Sequence, residues 1–278
     1  MVKPVQEPAQ VLTFRRIGER PVTPVDIAVS AGARTAAPVA PSPAADLAGN
    51  APFVFLIGAG NTGKTTVARY IIERAHMAGR QAMLAAMDPI NRSLTQYFND
   101  VEQPQTSEPA ESANFLRELL TFSMSGKHPS IVDTGAGDTS LGAVYAEMPD
   151  LEAELTAVGI APVALYTLSE RIDDLGPFLK LRFQPKATAF ICNLGLTSGG
   201  ADAFRTSLEQ PAVREAIEAG ARVIYMPYLD RVVVKQIELE RMSFGDASKK
   251  LAGVQGMQVR AWLRAMDTAF GGIASWLP

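Results

Sequence analysis

A glycine-rich segment directly after a short apolar run most constrains what this chain can fold into. The segment reads Gly-Ala-Gly-Asn-Thr-Gly-Lys-Thr over residues 58–65, follows the apolar run 53–57, and is itself followed by helix-forming residues. It matches every fixed position of the pattern G-x-x-x-x-G-K-[ST], and a strand before it and a helix after it are the context that this pattern requires. The segment therefore predicts a phosphate-binding loop between a strand and a helix.

The residue types of this loop follow from the chemistry of phosphate. Glycines let the backbone curl so that successive N–H groups point inward, and the start of the next helix adds partial positive charge. Lys64 is expected to reach the β- and γ-phosphates, while the Thr65 hydroxyl is expected to bind Mg²⁺. The other loop residues expected to shape the nucleotide pocket are Gly58, Gly60, Asn61, Thr62, Gly63 and Thr66.

Short apolar runs alternate with amphipathic stretches through the rest of the chain. Runs without strict alternation suit strands buried on both faces, and their alternation with helices implies right-handed crossovers in a parallel sheet. The predicted fold class is therefore α/β, a doubly wound, mostly parallel sheet flanked by helices. The predicted strands are 53–57, 82–87, 130–133, 162–168, 187–193 and 221–227, and the clearest predicted helices are 63–78 and 110–124.

Composition divides the chain into two parts. Residues 1–52 are rich in proline and alanine and predict a disordered arm, whereas residues 53–278 predict the nucleotide-binding domain. Within the arm, 11–20 mixes apolar residues with three arginines, which is typical either of a docking motif or of a slightly basic stretch in a flexible tail. A net charge of −3, one cysteine and no apolar stretch of membrane-spanning length lead us to expect a soluble cytoplasmic protein.

Two acidic residues follow predicted strands at the edge where the loop lies. Asp133 ends the run 130–133 and is expected to hold Mg²⁺, usually through water. Asp88 follows the run 82–87 and is expected to orient either an attacking water or a ligand in the outer coordination shell of Mg²⁺. Together with Lys64 they form the predicted catalytic set. Each acid can alternatively serve as an ordinary turn residue after its strand.

With these motifs in place, the chain resembles the ParA/MinD-like ATPases, which organise plasmids, chromosomes and division sites. The resemblance lies in the loop, the stretch MDPINRSL, the strand end VDTGAGD, and the late strands FICN and IYMP. It implies ATP and Mg²⁺ as ligands, a homodimer when ATP is bound, and a switch that controls association with a partner. It also implies that Asn193 binds adenine and that Pro227 and Tyr228 pack on it, although Asn193 can instead be a turn residue and Tyr228 an aromatic residue at the edge of the core.

The sequence departs from that family at two positions. Ala59 stands where the family carries its signature lysine, and Ala86 stands where the first Asp of the second motif is common. Such variants resemble the ParA-like proteins of plasmid stabilisation and mobilisation. Without the lysine, slow hydrolysis or binding with little turnover is expected, unless Arg92 or Arg171 supplies the missing charge.

Two rival functions stay open from the residues alone. One is a nucleotide-bound interaction subunit without hydrolysis, which Ala59 favours. The other is a metabolic enzyme of the same fold, such as a dethiobiotin-synthetase-like ligase or a small-molecule kinase, with Asp138 and Thr139 beside its second substrate. A GTPase metallochaperone is disfavoured because the chain has neither a metal-binding cysteine motif nor a histidine-rich stretch, and the absence of Asn-Lys-x-Asp favours adenine over guanine.

The C-terminal region predicts an amphipathic helix and a cationic surface. Its apolar stripe is expected to pack on the domain, with peripheral membrane contact as the weaker alternative. Non-specific DNA binding is a further alternative for the basic residues, beside a protein partner. The stripe is Val259, Trp262, Leu263, Met266 and Phe270, and the basic residues are Arg231, Lys235, Arg241, Lys249, Lys250, Arg260 and Arg264.

Overall fold

The computed structural model describes residues 44–90, 94–181 and 183–278. One parallel sheet of seven strands has the order β3-β2-β4-β1-β5-β6-β7. Its strands are β1 (Ala51–Gly58), β2 (Met83–Ala86), β3 (Val101–Glu102), β4 (Ser130–Asp133), β5 (Ile160–Leu168), β6 (Ala187–Asn193) and β7 (Arg222–Met226). The predicted doubly wound α/β fold is thereby confirmed, and because all strands are parallel, their carboxyl ends lie along one edge of the sheet.

Helices connect the strands and cover both faces of the sheet. They are α1 (Lys64–Met77), α2 (Pro109–Gly126), α3 (Ser140–Glu147), α4 (Leu151–Ala157), α5 (Gly176–Leu181), α6 (Arg205–Leu208), α7 (Pro211–Glu218), α8 (Arg231–Leu239), α9 (Phe244–Lys250) and α10 (Gly253–Phe270). The edge strand β3 was not predicted, because two residues are too few to leave a periodic pattern. The predicted boundaries of the other strands differ from the observed ones by only a few residues.

The strand β1 shows why these apolar runs become central strands. Val54 and Leu56 belong to the apolar layer beneath α1 and α10, whereas Phe53 and Phe55 belong to the layer on the opposite face. Successive side chains of a strand point to opposite faces, so a strand covered by helices on both sides is apolar at every position. The full burial of these four residues is the physical basis of the pattern in the sequence.

The C-terminal helix α10 packs on the domain, as the favoured interpretation of its stripe predicted. Val259, Trp262, Met266 and Phe270 are buried, and the Phe270 ring lies 5.2 Å from the ring of Tyr70 on α1. Among the described residues, no helix has the length and apolar character needed to cross a membrane.

The part of the predicted arm that the structure describes, residues 44–52, contacts the domain. Ala44, Ala45 and Leu47 pack against the core, and the indole N–H of Trp276 donates to the carbonyl oxygen of Ala45 at 2.7 Å. The strand β1 begins at Ala51, two positions before the predicted domain start. The rest of the arm, including 11–20, and Arg92 lie outside the described residues.

Candidate functional site

The glycine-rich loop joins the carboxyl end of β1 to the first residue of α1. Its backbone enters the left-handed region twice, at Asn61 with φ of 63° and at Gly63 with φ of 103°. The helix α1 begins without a capping side chain and without an acidic residue in its first turn. Since the first N–H groups of a helix have no intrahelical acceptor, this start is suited to an anion.

Two of the loop glycines are required by close packing. A Cβ on Gly58 would lie 2.4 Å from the Thr167 Oγ1 and 2.7 Å from the Thr167 carbonyl oxygen on β5. A Cβ on Gly63 would lie 2.6 Å from Nδ2 of Asn193 at the end of β6. The pattern therefore needs glycine at these positions for contacts with neighbouring strands as well as for backbone curvature.

Lys64 is buried at the start of α1 and points back along the loop. Its Nζ donates hydrogen bonds of 2.9 Å to the carbonyl oxygens of both Gly58 and Ala59. Burial lowers the pKa of Lys64, and the nearby carboxylate of Asp133 opposes that shift. The ammonium group is thus held inside the loop by two carbonyls that an anionic ligand can replace.

Asp133 ends β4 directly opposite the start of α1. Its Oδ2 accepts a hydrogen bond of 2.9 Å from the Thr65 hydroxyl, and the residue is only 6% exposed. The other oxygen, Oδ1, is buried and has no hydrogen-bond partner among the described residues. Burial raises the pKa of Asp133 to about 6, against the opposing effects of Lys64 and Thr65.

The pair formed by Thr65 and Asp133 fits a magnesium ion. An unpartnered buried carboxylate oxygen is unfavourable, and hydroxyl and carboxylate oxygens are the ligand types that Mg²⁺ prefers. Among the described residues, no group of three or more His, Cys, Asp or Glu side chains is arranged to hold a metal ion. Mg²⁺ usually takes only one or two protein ligands and completes its shell with water and phosphate oxygens, so a pair of protein ligands is compatible with this ion.

Asp88 lies beside the same cluster and also closes a turn. Its Oδ1 accepts a hydrogen bond of 3.0 Å from the backbone N–H of Ile90, as the turn interpretation predicted. A Cβ on Gly135 would lie 3.2 Å from the Asp88 Cβ, which shows how closely this side chain approaches the turn after Asp133. The catalytic role of Asp88 stays a prediction.

A cavity of about 850 Å³ brings most of the predicted residues together. Three predicted residues, Gly58, Thr62 and Tyr228, do not line it. The predicted residues that line the cavity are Gly60, Asn61, Gly63, Lys64, Thr65, Thr66, Asp88, Asp133, Asn193 and Pro227.

The Asn193 side chain makes hydrogen bonds within the protein at both ends of its amide. Its Nδ2 donates to the carbonyl oxygen of Thr62 at 3.0 Å, and its Oδ1 accepts from the backbone N–H of Gly195 at 2.9 Å. The side chain therefore serves as a turn residue that also braces the phosphate-binding loop. Its predicted contact with adenine is not tested by this geometry and stays a prediction.

The cavity extends beyond the predicted site, between α1 and α8. The clearest residue that the sequence reasoning missed is Arg69, whose signal is a charge one turn after Thr65 in an otherwise apolar stretch. Trp262 was expected only in the core, and Arg231 and Lys235 only on a cationic surface. The further lining residues of this part are Arg69, Arg231, Val234, Lys235, Ile237, Glu238, Phe244 and Trp262.

The residues proposed for other chemistry do not line the cavity. Asp138 accepts hydrogen bonds of 2.9 Å from both the backbone N–H and the hydroxyl of Ser140, and neither it nor Thr139 lines the cavity. Arg171 is exposed, with its guanidinium 4.0 Å from Asp173. The predicted place of Asp138 and Thr139 beside a second substrate stays a prediction.

Comparison with known proteins adds little to this description of the molecule. No protein-family model matches the chain, and no curated protein matches it. Similar solved structures include the hydrogenase maturation factor HypB from Archaeoglobus fulgidus, at 14% identity and a TM-score of 0.35, over 63% of this chain and 81% of that chain. So distant a likeness says nothing about activity or ligand, and the fold rests on this chain's own strand order.

Proposed function

We propose that this protein binds Mg–ATP at the phosphate-binding loop and works as a nucleotide-dependent switch of the ParA/MinD-like kind. The observation that carries the proposal is the bond between Thr65 and Asp133 at the start of α1, with Oδ1 of Asp133 buried and unpartnered. That arrangement supports a cation held against an anion bound at the helix start. Lys64 is the first residue of α1 and therefore lies beside the same anion position.

Each side chain has a distinct task in the proposed reaction. Lys64 exchanges the carbonyl oxygens of Gly58 and Ala59 for phosphate oxygens, while the N–H groups of the first turn of α1 bind the same anion. Thr65 and Asp133 hold the cation, which supplies charge to offset the phosphates. Asp88 orients the attacking water. Hydrolysis is slow because Ala59 offers no positive charge to the developing transition state.

The nucleoside end is proposed to lie beside the carboxyl ends of β6 and β7. Met226 and Pro227 line the cavity there, and Leu229 adds a further apolar surface suited to a base. Asn193 lines the cavity beside them, and its task in the proposal is to brace the loop through its bond to Thr62. Adenine is preferred in this proposal because the chain lacks an Asn-Lys-x-Asp segment.

Association of two copies through this edge of the domain is the proposed output of the switch. Exposed apolar residues near the cavity support it: Tyr228 is 54% exposed, Val232 67% and Leu239 74%. A protein partner is the further expected contact. Support for DNA binding is weaker, because Arg231 and Lys235 line the cavity and Lys250 pairs with Asp246 at 3.1 Å, which divides the predicted cationic surface.

A second candidate is nucleotide binding without turnover, in an interaction subunit. Ala59 favours it, since the lysine that ParA/MinD-like ATPases carry at this position is absent. Arg171 does not line the cavity, so it offers no replacement from within one chain. Phosphate release separates the two candidates directly.

The experiment is light scattering with Mg²⁺ and ATP, ADP or a non-hydrolysable ATP analogue, together with phosphate release. The switch predicts a doubled mass only with triphosphate, a monomeric Lys64→Ala variant, and a persistent dimer of Asp88→Ala with ATP. Binding without a change in mass or any phosphate release would reject the switch and favour the non-hydrolysing subunit. Asp100→Ala, at an exposed site outside the cavity, is the matched control for Asp88→Ala.

A further inference from the structure

Arg69 is a buried cation in the wall of the same cavity. It is only 4% exposed, and its guanidinium lies 3.5 Å from the ring centroid of Tyr97 and 4.3 Å from that of Phe244. Its Nη2 donates to the carbonyl oxygen of Met242 at 2.8 Å, whereas its buried Nε has no hydrogen-bond partner among the described residues. Two rings therefore fix the plane of the guanidinium and leave its donors incompletely used.

The charge of Arg69 is not neutralised by direct contact. In the described part of the chain it makes no ion pair within 4.0 Å, although Glu73 and Glu238 are near enough to oppose the lowering of its pKa by burial. The carboxylate of Glu73 is held by the backbone N–H groups of Phe244 and Gly245, at 2.9 and 3.0 Å. A buried cation without a contacting anion is costly, so a further anion would stabilise this site.

The cavity wall around Arg69 has an excess of positive charge. Arg231 and Lys235 on α8 also line this part, against the single carboxylate of Glu238, and neither cation forms an ion pair with the described residues. Phe244 and Trp262 provide apolar surface beside these charges. The combination suits an anionic group attached to an apolar or aromatic body.

The cationic part of the cavity around Arg69 and the phosphate-binding loop line the same cavity at different places. Arg69 follows Thr65 by four residues, which places it on the same face of α1 and about 6 Å further along the helix. Phosphates held by the loop and an anion held by Arg69 would thus occupy one cavity at two positions.

We propose that Arg69, Arg231 and Lys235 form a second anion-binding subsite, which takes a phosphate or carboxylate group other than the 5′-phosphates held by the loop. The inference rests on the proposed nucleotide function, because the loop supplies the first anion site. Two sources fit this chemistry: a phosphate on the ribose of the bound nucleotide, and a separate small aromatic or apolar anion bound beside it.

Calorimetric titration of the full chain with Mg²⁺ distinguishes these sources. One arm compares ADP with adenosine 5′-diphosphate carrying a further phosphate at the 2′ or 3′ position. The other arm titrates ADP with and without saturating phenyl phosphate, and with inorganic phosphate in place of phenyl phosphate. The measured quantity is the ratio of affinities with and without the second anion, so each variant serves as its own reference.

We expect one of the two arms to give a gain of about tenfold or more, the size of a charge-assisted contact. The gain is expected to fall to about threefold or less in Arg69→Met and in Lys235→Met, while Lys249→Met, at an exposed site outside the cavity, retains it in full. Lys235 is exposed, so its substitution tests the subsite even if Arg69→Met fails to fold.

Two outcomes would overturn the subsite. One is the absence of a gain from either source in the wild type; the other is a gain that persists in both variants. If ADP itself fails to bind the wild type, the proposed nucleotide function falls with it, whereas ADP binding without a gain rejects the second subsite alone.

Discussion

Asn193 donates a hydrogen bond of 3.0 Å to the carbonyl oxygen of Thr62, so the end of β6 is tied directly to the phosphate-binding loop. The absence of a Cβ on Gly63 leaves room for this contact, because such an atom would lie 2.6 Å from Nδ2 of Asn193. The loop is thus shaped by a neighbour more than a hundred residues away in the chain.

Asn193→Ala is expected to weaken ATP and GTP binding by a similar factor, about fivefold to tenfold, since it removes a hydrogen-bonded brace of the loop. Fluorescent-nucleotide titrations of the two nucleotides measure that factor. Asn99→Ala, at an exposed position, is the control. A large change in the ratio of ATP to GTP affinity would show instead that Asn193 reads the base.

Gly58→Ala and Gly63→Ala are each expected to lower the free energy of unfolding by about 1–3 kcal/mol. The new methyl groups meet Thr167 and Asn193 within 3 Å, and Gly63 also has a left-handed backbone. Urea denaturation measures the loss. Gly271→Ala has open space and an ordinary helical φ, so an equal loss in that variant would contradict the packing explanation.

The magnesium-dependent part of nucleotide affinity is expected to fall as the pH drops below about 6. Burial raises the pKa of Asp133 to about 6, and only its ionised form can hold the cation. Titrations with and without Mg²⁺ between pH 5 and 8 isolate this part. In Asp133→Asn the pH dependence should be lost, and a wild-type affinity that is flat across pH 6 would speak against Asp133 as the cation ligand.

The raised pKa of Asp133 also predicts how the stability of the ligand-free protein changes with pH. The pKa of the Asp133 carboxyl is raised in the folded state. Its stabilising contribution to the free energy of unfolding is therefore fully present below the ordinary pKa near 3.8, and this contribution is lost as the pH rises through about 6. Asp133→Asn should therefore gain stability relative to the wild type across that window, by roughly 2–3 kcal/mol. Denaturation of both proteins at pH 4 and pH 7 measures it, and a constant difference would refute it.

Met266→Ala is expected to lower the free energy of unfolding by about 2–5 kcal/mol, because the side chain is fully buried where α10 meets the core. Met257→Ala on the same helix should cost little, since that side chain is 61% exposed. Similar effects of the two substitutions would contradict the packing of α10 against the domain.

The sequence predicted those parts of the structure that local patterns encode. Glycines 58, 60 and 63 with Lys64 and Thr65 identify the loop, and the apolar run ending at Asp133 identifies its strand, because each is fixed within a few residues. The cationic part of the cavity around Arg69 was not predictable in this way. It depends on Tyr97, Phe244 and α8 meeting the face of α1, and these contacts join segments with no common local pattern.

Asn193 shows why a residue type at a strand end leaves its role open. The resemblance implies a contact with the base, which stays a prediction, and the structure adds hydrogen bonds within the protein at both ends of the amide. Asp88 is similar, since its carboxylate closes a turn at Ile90 while lining the cavity. A residue type at a strand end does not by itself separate these roles, because turn and ligand chemistry use the same polar groups.

Calorimetric binding of Mg–ATP to the wild type, Lys64→Ala and Lys249→Ala measures directly whether the phosphate-binding loop holds the nucleotide. We expect one site per chain, an affinity lowered by about tenfold to a hundredfold in Lys64→Ala, and no change in Lys249→Ala. Binding of the same strength in Lys64→Ala and the wild type, or none in the wild type, would contradict a nucleotide site at this loop.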